Sequence, residues 1–112
     1  MEPNRLNYRI RAFRQALGIT QEELGALVGV SNFLISLHER GMYDVDGRQN
    51  ELMQALYAVQ ERKAQVYGYW YNNYIELQTA LNEIQVWIEL EGRAPAEVIR
   101  HAKDLSVAFS NT

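Results

Sequence analysis

At 112 residues, 47% of them hydrophobic, the chain suits one core, or a small domain with a helical extension, and is too apolar for a disordered tail. The absence of cysteine excludes disulfides and Cys-ligated zinc. With no run of about 18 apolar residues and no charged-then-apolar leader, the chain is expected to be soluble and cytoplasmic, with no membrane partner.

The net charge of −3 is unevenly spread: residues 1–63 balance eight basic against eight acidic side chains, whereas 64–112 hold three basic and six acidic. Four of the basic residues are Arg5, Arg9, Arg11 and Arg14. The overall acidity weighs weakly against nucleic-acid binding, and its distribution weighs weakly for it.

In chain order, Leu6, Ile10, Phe13 and Leu17 form one apolar face of a first helix, which Gly18 ends. Thr20 stands three residues before Glu23, the spacing of a capping box, and Leu24, Leu27 and Val28 give the second helix its core face. Ser31 is an N-cap for a third helix over residues 31–40, anchored by Ile35 and Leu37 and closed before Gly41. Residues 42–47 lack helical period and read as a loop, with Asp46 as a cap for a fourth helix carrying Leu52, Leu56 and Val59.

No proline falls between positions 4 and 94, so the chain is expected to stay helical through the aromatic stretch 67–74. Trp70, Tyr74, Leu77, Leu81, Ile84 and Ile88 then alternate at spacings of four and three, a heptad-like seam for a partner helix. Residues 84–90 also alternate with strand period. Helix is favoured because it continues the seam; a short strand pairing across a dimer is the competing picture. After the turn at Gly92, Pro95 suits the start of a final helix with Val98, Ile99, Ala102, Leu105 and Phe109 on its apolar face.

Three short helices broken at Gly18, Gly29 and Gly41 describe a helix-turn-helix unit, in which the turn glycine permits a tight reversal and Val30 plugs the space between helices. The words that follow are more specific. Arg14, Gln15, Ala16, Leu17, Gly18, Ile19, Thr20, Gln21, Glu22, Glu23 and Leu24 run in series. Gly29, Val30 and Ser31 come next, then Ile35 and Ser36, then Glu39, Arg40 and Gly41. In this order they resemble the phage-repressor, Cro/cI-type helix-turn-helix family (also called xenobiotic-response-element-like) over residues 10–59.

The resemblance implies a lambda-repressor-like domain of four to five helices over 1–63; with the helical pattern of 64–112, which the resemblance does not cover, the expected fold is all-α, with a long helix and a short final helix as a C-terminal extension. The resemblance also implies an ion pair between Arg14 and Glu39, and a DNA-backbone contact by Gln21, for which the free N–H groups of a helix N-terminus are suited. The 31–40 helix would lie in the major groove with Ser31, Asn32, Phe33 and Ser36 facing the bases, Leu37 less centrally. An Asn amide pairs with adenine's donor and acceptor together. Phe33 would meet either a thymine methyl or another protein. Where the family often has phosphate-clamping basic residues after Gly41, this chain has Asp44 and Asp46, which repel phosphate. Arg48 is the candidate replacement. For Arg5, Arg9 and Arg11 a solvated helix face is the ordinary reading and phosphate contact the sharper one.

His38 is expected at the surface, and with His101 it lacks metal-ligand spacing. No Ser-His-Asp order, phosphate loop or paired-carboxylate setting stands out, so no enzyme activity or cofactor is expected. The rings of Tyr67, Tyr69, Trp70, Tyr71 and Tyr74 have no basic residue among them, which favours a packed interface over base stacking. The sequence therefore leads to a homodimeric, double-stranded-DNA-binding regulator, paired through Trp70, Tyr74, Leu77, Leu81, Ile84 and Ile88. The rival reading is a protein-interaction module or antitoxin that captures a partner through 64–112.

Overall fold

The computed structural model describes residues 5–42 and 48–110, without the side chain of Arg5. Every element among them is a helix: α1 (Arg5–Leu17), α2 (Gln21–Val28), α3 (Asn32–Glu39), α4 (Gln49–Tyr67), α5 (Trp70–Glu91) and α6 (Ala96–Ser110). The fold is all-α. No helix of the described residues is long and apolar enough to cross a membrane.

Local chemistry accounts for the ends of the first three helices. Thr20 and Glu23 form a reciprocal capping box, in which the Glu23 N–H donates to the Thr20 hydroxyl at 3.0 Å and the Thr20 N–H to the Glu23 carboxylate at 3.1 Å. Two of the donors that a helix start leaves free are thereby satisfied. Ser31 satisfies one such donor of α3 by accepting from the Leu34 N–H. Gly29 closes α2 at φ 73°, a left-handed backbone that strains residues with a Cβ. The expected cap at Asp46, like Asp44, lies outside the described residues.

One expectation for the C-terminal half is corrected. The chain does not stay helical through 67–74: Gly68, at φ 104° and ψ 177°, ends α4, and α5 starts two residues later. Absence of proline was a weaker signal than presence of a glycine able to adopt that conformation. At 84–90 the favoured helix is the one that forms, as the last turns of α5, and the competing strand does not. The segment's alternation resolves into adjacent helical positions: Val86 and Trp87 are buried, whereas Ile88 is exposed.

The core is organised around α1. On one side Ile10, Phe13 and Leu17 meet Leu24 of α2, Ile35 of α3, Leu52, Leu56 and Val59 of α4, and Tyr71 and Ile75 of α5. A second cluster joins Tyr8 to Val86 and Trp87 of α5 and Val98 of α6. Each such side chain contributes on the order of 1.5–3 kcal/mol by leaving water. Tyr8 sits edge-on to Trp87, ring centres 4.8 Å apart, and its hydroxyl donates to Glu91 at 2.6 Å. Burial, reinforced by the Glu91 carboxylate, pushes the Tyr8 phenol up to about 12. Helix α5 is thus laid along α1 and shares both clusters with it, while α6 joins the second through Val98.

Gly25, inside α2, holds that helix against the turn that leads into α3. It is buried, its carbonyl accepts from the Val30 N–H at 2.9 Å, and a Cβ on it would collide with the Val30 carbonyl oxygen. In an unconstrained helix Gly→Ala is favourable by about 1 kcal/mol. Here Gly25→Ala is expected to destabilise the fold by about 2 kcal/mol, because the backbone after Gly29 must shift. Urea unfolding of the two proteins checks this; a raised midpoint would contradict the close approach.

Candidate nucleic-acid interface

Helix α3 is eight residues long and divides sharply into two faces. Ile35, His38 and Glu39, at helical spacing, are fully buried. His38 is therefore a core residue, not the surface histidine expected; its position three residues after Ile35 puts it on the same face. Asn32 and Phe33, with Ser31 just before them, are exposed, and Phe33 retains 65% of its surface. Ser36 and Leu37 are half-buried at the boundary. The Ser31 hydroxyl oxygen is engaged by the Leu34 N–H and its own proton remains able to donate.

What fixes that orientation is a buried ion pair. The Arg14 guanidinium grips both Glu39 oxygens, Nε to Oε2 at 2.6 Å and Nη2 to Oε1 at 2.9 Å. The side chains are 11% and 1% exposed. A third guanidinium nitrogen donates to the Ile19 carbonyl at 2.8 Å, and Gln21 Nε2 donates to Glu39 Oε1 at 3.0 Å. One network thus spans α1, the turn before α2, the start of α2 and the end of α3. Gln21 is half-buried and part of it, so its amide nitrogen points to Glu39.

Four other cations are also engaged inside the chain. Arg48 donates to the Val28 carbonyl at 3.0 Å, and Lys63 to the Leu17 carbonyl at 2.6 Å. Cations at these carbonyls neutralise the negative ends of α2 and α1. Arg11 pairs with Glu89 at 2.7 Å, and Arg9 approaches Glu83 at 3.5 Å. Neither is simply a solvated arginine. The charge segregation visible in the sequence becomes pairing between α1 and α5, which the spacing of either helix alone does not reveal.

Of the expected dimer seam, Trp70, Tyr74, Leu81 and Ile88 are exposed, and Leu77 and Ile84 are half-buried. Ile84 packs beside the second core cluster. The face of α5 that meets α1 contains Tyr71, Ile75 and Val86, together with Asn82, which donates to the Ala12 carbonyl at 3.1 Å. In the aromatic group, Tyr71 is buried and Tyr69 is 93% exposed, so one ring is a core residue and its neighbour is bare. Burial is the main cause that raises the Tyr71 phenol, with Tyr67 and Tyr74 adding to it.

No family model, curated protein or solved structure matches the chain.

Removing one partner of a buried pair leaves the other charge uncompensated. Glu39→Ala is expected to destabilise the protein by about 3 kcal/mol or more. Combining Arg14→Met with Glu39→Leu is expected to recover most of that, because no charge then remains buried. Urea denaturation of the single and double variants decides the point; costs that simply add would contradict the coupling.

Proposed function

We propose that the chain is a homodimeric, sequence-specific regulator that binds double-stranded DNA, reading the major groove with the outer face of α3. The observation that carries this reading is the division of α3. Its inner face is clamped by Ile35, His38 and Glu39, while Asn32 and Phe33 stand free at its N-terminal end. In the helix-turn-helix arrangement, α2 and α3 would be the paired helices, with Gly29 in their turn. The N-terminal residues of the second helix meet base edges in that geometry.

Asn32 would read adenine, Phe33 would cover a thymine methyl, and Ser31 and Ser36 would add hydroxyl contacts. Gln21 and Arg48 would approach phosphate from the edge of the unit, each while keeping its internal hydrogen bond. Arg9, Arg11, Arg14, Arg48 and Lys63 are engaged inside the chain, so dimerisation would carry much of the useful affinity. Trp70, Tyr74, Leu77, Leu81, Ile84 and Ile88 on α5 would form that interface and set half-site spacing. Within this reading the protein acts in the cytoplasm as a repressor and catalyses nothing.

The exposed rings of Trp70 and Tyr74 beside Leu81 and Ile88 also favour a second reading, capture of a protein partner by the same face, as in an antitoxin. Selection of bound sequences from a random DNA pool separates the two. The expected outcome is an enriched site bound less tightly as salt rises. Asn32→Ala should lose about 2 kcal/mol on that site and relax its preference at one base pair, without loss of folding. A pool that shows no enrichment would count against DNA reading.

A further inference from the structure

A cavity of about 380 Å³ opens between α1, α4 and α5, with His101 of α6 also lining it. That volume lies within the range of small-molecule sites. The α5 wall carries Asn72, Glu76, Thr79 and Glu83, spaced by four, three and four residues and therefore on one face. Phe13 of α1 and Tyr57 of α4 face each other edge-on across the apolar side, ring centres 5.1 Å apart.

Two polar atoms in this wall are unsatisfied. Glu83 is 2% exposed, and its Oε1 is buried without a hydrogen-bond partner, as is Thr79 Oγ1 one turn earlier. The other Glu83 oxygen meets Arg9 only at 3.5 Å, beyond the roughly 2.7–2.9 Å of a good charge-assisted hydrogen bond. A buried carboxylate held this loosely is costly, and packing alone gives no reason for one on a core-facing position. Donors entering the cavity would supply what it lacks. Glu76 and Glu83 against Arg9 leave the lining with an excess of negative charge, which favours a cation and disfavours an anion.

We infer that this cavity binds a small organic cation, a primary ammonium or amidinium group on a compact aromatic body. Its N–H groups donate to Glu83 and Thr79, and its ring lies against Phe13 and Tyr57, whose faces also attract positive charge. The inference does not rest on DNA reading by α3.

Titration of the full chain with benzamidinium, followed by two-dimensional amide NMR, tests it. Saturable shifts are expected around Phe13, Tyr57 and Thr79. Benzyl alcohol and benzoate, neutral and anionic probes of similar size, should bind about tenfold more weakly or not at all. Glu83→Gln keeps the shape and should weaken benzamidinium about tenfold. Tyr57→Ala removes a largely exposed ring, so it should weaken binding without disturbing the core, and it keeps the test decisive if Glu83→Gln fails to fold. Equal affinity for the three probes, shifts that map elsewhere, no saturation by the cation, or unchanged affinity in either folded variant would overturn the inference.

Discussion

Where the ends of three helices converge, a guanidinium and a carboxylate are held out of water with three hydrogen bonds on each. Arg14 reaches both oxygens of Glu39 and the Ile19 carbonyl, and Gln21 adds a further donor to the carboxylate. Such a pair adds little net stability over apolar residues of the same shape, but it tolerates few alternative geometries. With Glu39 as the last residue of α3, its position fixes the rotation of that helix about its own axis. Asn32 and Phe33 then face outward because Ile35, His38 and Glu39 cannot.

The same economy of charge runs through the rest of the molecule. The basic first helix and the acidic C-terminal half meet as Arg11–Glu89 and Arg9–Glu83, while Arg48 and Lys63 sit on carbonyls at helix ends. A DNA-binding surface on this chain would therefore depend more on hydrogen bonds, shape and the doubling of contacts in a dimer than on a broad positive field. Glu83 is the exception: it is buried, loosely paired and placed beside a cavity.

Much of the local architecture was legible in the residues. Thr20 with Glu23, Ser31, and the glycines at 18 and 29 mark boundaries through capping and left-handed backbone, which depend on near neighbours alone. Ile10, Phe13, Leu17, Leu52, Leu56 and Val59 declare their burial by helical period. Gly25 was not legible, since a glycine inside a helix reads as a cost until the Val30 carbonyl is seen against it. The packing of α5 was hidden for another reason. Its apolar seam is the more regular stripe, yet the face on α1 includes Asn82 and Glu83, which a count of apolar positions passes over. Partners distant in sequence decided between the two faces. Of the candidate site, the Arg14–Glu39 pairing came from resemblance, whereas the inward hydrogen bonds of Gln21 and Arg48 needed coordinates.

Under the proposed function, the buried charge pair would present the outer face of α3 to DNA bases. Replacing Phe33 by a photo-crosslinking phenylalanine analogue tests it directly, because that side chain is exposed and outside the core. Irradiated with the DNA that the protein selects, the analogue is expected to attach to bases inside the enriched site, and to lose that attachment when the site is scrambled. Crosslinks confined to protein, or to DNA without regard to sequence, would contradict the account.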